Sequence, residues 1–403
     1  MAQTLLTPTI ITRKALMAFV NSLTFARGAN RQYDNQFANS GASPSGKIGP
    51  TLTIRKPNRF QITSGAALQI QDVAEESTTM TVSSRIHVDF SFPTQDLTLT
   101  IDDFMDRYVN RAVETLANKV DLDGLALYKD IANTVGTAGT TPATPAVWLA
   151  AKQKLQEFAV PVSGKKYAVL NPAAEAATVN GLTNLFNSQK KIAEQYDTGE
   201  MGEALGLIYK MDQNVASHTC GTRPATGASV ATTATSGTAT LAVTSSGASD
   251  IFNDGDTFTC ANVYAVNPQG KQSTGSLQQF VVTADATASG SAVTLSIYPT
   301  PITSGAKKNI NRLPTQSDVI TFTGDTTAVV PQNLVFHQDA FTLVTADLEI
   351  PQGVHFAARE NYEGISLRIV RQYSIDSDQI PCRIDVLYGW KTLYPEWACR
   401  VIG

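Results

Sequence analysis

Between Thr219 and Pro299 the chain nearly runs out of charge: only Arg223, Asp250, Asp254, Asp256, Lys271 and Asp285 carry it. Ser, Thr, Ala and Gly fill much of the rest, and ordinary charged α/β sequence lies on both sides. Within this stretch Thr238–Val243, Asp256–Thr259, Phe280–Ala284 and Ala292–Ile297 read as short strands parted by Gly, Asp and Asn turns. Several short strands with turn signals predict a small barrel or sandwich. The pattern is that of a β-rich module set into the middle of a host domain.

At 403 residues the chain has room for two or three domains. A net charge of −4 gives no whole-chain case for attraction to nucleic acid or membrane. No apolar run approaches the roughly 18 residues of a membrane-spanning helix. The N-terminal residues lack the basic and apolar regions of a secretory signal. Four cysteines, Cys220, Cys260, Cys382 and Cys399, are far apart and have no zinc or redox spacing, which predicts buried free thiols. The histidines, His87, His218, His337 and His355, are isolated from one another and read as structural or surface residues.

Residues 1–45 begin with a helical pattern, Lys14 to Phe25, whose Leu16, Phe19, Val20 and Leu23 share a face. A polar stretch follows to Pro44, so this part reads as an arm. Thr51–Lys56 alternates. Met80, Val82, Ile86, Val88, Phe90 and Phe92 then fall on one face at period two, with Thr79, Thr81, Arg85, His87 and Asp89 on the other. One strand from Thr79 to Phe92 would reach about 45 Å. With a polar loop over Pro57–Thr78 it predicts a long ribbon that needs a neighbour to lie on. A helix follows from about Asp102 to Asn133, with Phe104, Met105, Tyr108, Val109, Ala112, Val113, Leu116, Val120, Leu127, Tyr128 and Ile131 in a broad stripe, Asp102 and Asp103 at its positive end, and Gly124 as a weak point. Thr144-Pro145 and Asn171-Pro172 have the cap-then-proline order of helix starts, and Tyr167–Leu170 is a short strand. After Pro331, strands are predicted at Leu334–His337, Phe341–Val344, Ile365–Tyr373 and Arg383–Tyr388.

No catalytic constellation is visible: no Gly-x-Ser-x-Gly, no His-Glu-x-x-His and no phosphate loop. Gly164-Lys165-Lys166 lacks the rest of the phosphate motif. Asp121-x-Asp123 near Asp130 is the most acidic cluster. Asn253-Asp254-Gly255-Asp256 looks most like a calcium loop, but a turn before a strand accounts for it. Basic pairs (Arg55-Lys56 with Arg59, Lys165-Lys166, Lys190-Lys191, Lys307-Lys308) are not interleaved with aromatics as a stacking platform requires.

The order of parts resembles the major capsid proteins of tailed bacteriophages, and more closely the podovirus coat-protein family with an inserted domain. The resemblance is carried by Tyr167-Ala-Val-Leu-Asn-Pro172, Tyr196-Asp-Thr-Gly199 with Gly206-Leu-Ile, and, in the insert, Gly255-Asp-Thr-Phe-Thr, Asn267 to Gly275 and Leu277 to Val282. Phe336 to Phe341, Phe356-Ala-Ala-Arg359, Gly364-Ile-Ser, Cys382 to Trp390 and Pro395-Glu396 extend it to the C-terminus. It implies an α+β chain with the Hong Kong phage type of capsid fold and an inserted small β-barrel-like domain. The implied parts are an N-terminal arm (1–45), an extended β-loop (46–101), a spine helix (102–139), an axial domain (140–218), the insert (219–331) and the axial and peripheral return (332–403).

The implied function is a non-enzymatic, cofactor-free shell protein of the virion, assembled in the bacterial cytoplasm as pentamers and hexamers around double-stranded DNA. Its implied partners are further copies of itself, a scaffolding protein, a portal and, weakly and without sequence preference, the packaged DNA. Arg55, Arg59, Met80, Val82, Arg85, Ile86 and Phe90 are the expected inter-subunit residues, with the ribbon overlying an adjacent subunit. The insert is expected to act as a folding scaffold for the axial domain. Where a relative carries a charged hairpin loop in its insert, the stretch before Thr238 is here Ala, Ser, Thr and Gly with one Val. The alternative is a decoration, tail or adhesin-like protein that binds through the β-insert.

Overall fold

The computed structural model describes residues 8–33, 49–66, 68, 70–71, 75–93, 109–181, 202–362, 364–376 and 378–403. The expected polar stretch to Pro44, the helix start at Asp102 to Tyr108, and the Tyr196–Gly199 turn lie outside the described residues. The chain divides into two compact units. One comprises Met1–Arg55, Ser77–Gly124 and Phe341–Lys391; the other comprises Lys56–Glu76, Leu125–Ala340 and Thr392–Gly403.

The first unit is built on a five-stranded sheet. Gln379–Thr392 pairs with Phe341–Ala346, with Ile365–Arg371 and with Ser84–Pro93, and Phe356–Tyr362 extends it beyond Ile365–Arg371. Period-two alternation turns Leu367, Ile369, Ile384, Val386 and Tyr388 to one side. Helices α1 (Pro8–Ser22) and α2 (Asn110–Leu125) bury Leu16, Phe19, Val20 and Leu23, and Val113, Leu116, Ala117 and Val120, in the same core. The expected face of the arm helix is therefore correct, although the helix starts and ends earlier than Lys14–Phe25. Asp121, buried on α2, accepts hydrogen bonds from the backbone N–H groups of Thr24 (2.6 Å) and Ala26 (2.9 Å), which fixes the chain as it leaves α1. The expected helix to Asn133 stops at Leu125 and tightens into a 3₁₀ turn, Ala126–Asp130.

The single strand expected from Thr79 to Phe92 is two strands. Glu76–Thr81 pairs with Thr51–Lys56 in a two-stranded sheet, the chain breaks at Val82-Ser83, and Ser84–Pro93 joins the five-stranded sheet through a ten-residue register with Gln379 to Tyr388. The alternation survives the break, which is why the sequence reads as continuous: Met80 and Val82 are buried, while Ile86, Val88 and Phe90 pack on the core. Gly389 makes the crossing possible, because a Cβ there would lie 2.2 Å from the Thr81 carbonyl oxygen.

In the second unit a mixed sheet runs in the order Thr134–Gly136, Ala398–Ile402, Val329–His337, Lys166–Leu170, Leu207–Met211, Glu203–Ala204, with Ser217–Thr219 also paired to Val329–His337. Helix α3 (Pro145–Glu157) sets Trp148, Ala151 and Leu155 against Leu170, Val335, Cys399 and Val401. Helix α4 (Pro172–Gly181) is capped by Asn171, whose Oδ1 accepts from Ala174 N–H at 2.8 Å. Thr144 occupies the corresponding place on α3 but its hydroxyl makes no cap bond.

The charge-poor segment is a closed six-stranded barrel: Thr240–Thr244, Ala292–Tyr298, Ser273–Val282, Thr257–Val266, Val319–Phe322 and Ala228–Val230. Phe252, Phe258, Phe280, Leu295, Ile320 and Phe322 fill it. Closure removes sheet edges, so the low charge does not leave sticky strands. The four expected strands are there, three of them lengthened and the first shifted to Thr240–Thr244, and two short ones, Ala228–Val230 and Val319–Phe322, complete the ring.

Candidate functional site

Two features of the second unit carry functional interest: the seam that fixes the barrel to the mixed sheet, and the extended segment 57–75.

The seam is polar and buried. Asp256 accepts from His218 Nε2 (3.0 Å), from Arg223 Nη2 (3.0 Å) and from the backbone N–H of Asn253 (3.1 Å) and Gly221 (3.3 Å). Burial alone would raise its pKa, but the His218 and Arg223 bonds outweigh that and hold the carboxyl below its ordinary value. The other His218 nitrogen meets Tyr128 OH at 3.1 Å. Arg223 also donates to Gly324 O at 2.8 Å and lies 4.2 Å over the Phe322 ring. From the sheet, Arg400 donates to Gly255 O at 2.8 Å. Gln279 of the barrel accepts from Thr134 N–H (2.9 Å) and donates to Thr134 O (2.7 Å), completing a backbone-like pair across the seam. Asn267 donates to Glu157 O at the end of α3. Asp254, the other acid of the calcium-like loop, pairs with Lys129 at 3.2 Å. Both acids are thus engaged by protein cations, as a plain turn requires.

Cys260, Cys382 and Cys399 are buried thiols pushed up by burial to about 12, 11 and 12, so they stay protonated and are poor nucleophiles.

The extended segment shows apolar side chains to solvent. Phe60, Ile62, Leu68 and Ile70 are 65%, 90%, 87% and 85% exposed. They follow period two on each side of Gly65-Ala66, a signal that reading 57–78 as a polar loop passed over. Two ion pairs hold the base of this segment: Arg59–Glu396 and Lys307–Glu76, each 2.6 Å. They stand at a cleft of about 600 Å³ walled by Phe158, Tyr298 and Trp397.

The expected inter-subunit residues do not form one group. Met80 and Val82 are buried inside their own chain, so they have no apolar surface left to give a neighbour. Ile86 and Phe90 pack on the core of the first unit. Arg85 binds the buried Asp385 at 2.8 Å, and Asp385 also accepts a fork from Arg368. Arg59 is spent on Glu396. Arg55 is exposed on the Thr51–Lys56 strand.

The family model described as "P22 coat protein - gene protein 5" matches residues 2–402. The chain belongs to the P22 coat protein family. It is a major capsid protein, and the shell of the virion is what it builds. Among solved structures, the coat protein is similar to one of Mycobacterium phage Che8 (12% identity, TM-score 0.47, covering 94% of this chain and 90% of that one) and to the capsid of Ralstonia phage GP4 (9%, 0.46, 93% and 90%). It is also similar to the mature capsid of bacteriophage PhiM1 (12%, 0.41, 87% and 81%). No curated protein sequence matches it.

Proposed function

We propose that the coat protein assembles into pentamers and hexamers through its extended segment, with Phe60, Ile62, Leu68 and Ile70 entering a groove of an adjacent subunit. The observation that carries this is their exposure: four large apolar side chains of one segment remain mostly exposed among the described residues. Exposed apolar surface gathered on one segment suits an interaction site. The inter-subunit role moves from the buried Met80 and Val82 to this tip, with Arg55 and the half-exposed Arg85 as further polar contacts to a neighbour.

The chain works by association rather than turnover. Membership of a coat-protein family supports a structural role, and we assign the chain no enzymatic activity. Assembly in the host cytoplasm, a scaffolding protein, a portal and loose contact with packaged double-stranded DNA complete the reading. The insert serves as an internal scaffold for the axial sheet, because Asp256, Gln279 and Gly255 of the barrel satisfy buried groups of His218, Thr134 and Arg400. Sedimentation of the purified chain with Phe60, Ile62, Leu68 and Ile70 changed to Ser tests the assembly role. Soluble subunits that no longer form shells are expected, and shells of normal yield would refute it.

A further inference from the structure

The seam buries two guanidiniums, Arg223 and Arg400, each 1% exposed, against one carboxylate, Asp256. Asp256 is saturated by His218, Arg223 and two backbone N–H groups, and it makes no bond to Arg400. Arg400 has one hydrogen bond, to Gly255 O, and its face lies 5.7 Å from the Tyr128 ring. Its Nε and Nη2 have no hydrogen-bond partner among the described residues. Burial lowers its pKa to about 10, which leaves it cationic at neutral pH. The neighbouring Lys129–Asp254 pair is neutral as a whole. One positive charge is therefore buried without a counter-charge, a costly state unless something compensates it.

Beside Arg400 is a cavity of about 10 Å³, lined by His218, Cys220, Thr257, Thr323 and Gln332 among others. It is close to the smallest size that accommodates one water molecule. Gln332, 3% exposed, also has an unpartnered side-chain oxygen. His218, Cys220 and Asp256 lie close enough together to suggest a metal site, but the two guanidiniums and the saturated carboxylate make this place hostile to a cation.

We propose that this cavity binds one small monovalent anion of halide type, held by Arg400 and bridging the barrel to the mixed sheet. The anion supplies the missing charge and the acceptor that Nε and Nη2 lack. Its walls come from the Ser217–Thr219 strand and its following residue, the barrel, and the Val329–His337 and Ala398–Ile402 strands, so occupancy couples insert and host.

The test is the thermal unfolding midpoint of the full chain in sodium chloride and in sodium gluconate, an anion too large for the cavity, at equal ionic strength. The midpoint is expected to be higher in chloride, with the folding constant rising about tenfold per tenfold chloride once the site fills. Gln332→Glu places a tethered carboxylate beside Arg400 and is expected to remove the chloride response while the protein stays folded. Should that variant fail to fold, Arg400→Met is expected to lose the response and Gln332→Met to keep it. Equal midpoints in the two salts would overturn the proposal and leave water as the occupant. A chloride effect that persists in Gln332→Glu or Arg400→Met would overturn it as a general salt effect.

Discussion

Gly124 has no side chain because Phe25 and Trp390 meet over it: a Cβ would lie 2.7 Å from Trp390 Cζ2 and 2.8 Å from Phe25. Those rings lie tilted with centroids 5.3 Å apart, and Trp390 donates to Val120 O at 3.0 Å, so neither can retreat freely. Gly124→Ala is expected to destabilise the first unit by about 1–3 kcal/mol, as overpacking does, measured by urea unfolding. An unchanged midpoint would show that the rings yield at no cost. The sequence marks Gly124 as a weak point in a helix, and only the fold shows it as a place of close approach. Two buried carboxylates set the response to acid. Burial pushes Asp385 up, yet Arg368 and Arg85 outweigh it and hold the group below its ordinary value, as His218 and Arg223 do for Asp256. A lowered folded-state pKa contributes stability that is present above the unfolded value of about 3.9 and is lost as pH falls through the folded value. Stability is therefore expected to drop below about pH 4, and Asp385→Asn is expected to flatten that drop. A stability curve unaffected by this substitution would contradict the assignment.

At the scale of elements, the barrel is both the most legible part of the chain and the part whose attachment was hidden. Its low charge and turn spacing are visible along the sequence, and its strands lie near the predicted places. The seam is not visible, because Asp256, Gln279, His218 and Arg400 are far apart in sequence and each looks ordinary alone. The strand over residues 79–92 misleads for a related reason. Alternation reports which side is buried, not which partner buries it, so two strands serving two sheets read as one ribbon. In the extended segment 57–75 the interspersed polar residues mask the alternation of Phe60, Ile62, Leu68 and Ile70. Changing those four to Ser is expected to alter the folding free energy by no more than about 0.5 kcal/mol per position, as for exposed sites. Subunit association should weaken by about 2 kcal/mol per contact or more, roughly 30-fold in affinity, read by sedimentation. Deleting residues 222–328 and joining the ends removes Asp256 and Gln279 from the seam and strands the buried Arg400. Aggregated or misfolded protein is expected, and soluble deletion protein that assembles normally would exclude the scaffold role.

For the whole molecule, membership of the P22 coat protein family fixes the function as shell building. The two units have separate apolar cores, while the extended segment holds apolar surface outward. Nearly full-length collinearity, rather than any motif, makes the shell-building function legible in the sequence. The measurement that tests the central claim most directly is negative-stain electron microscopy of the purified chain under assembly conditions, with and without a scaffolding protein. Closed shells of uniform size are expected. Protein that stays monomeric under every condition would contradict the account.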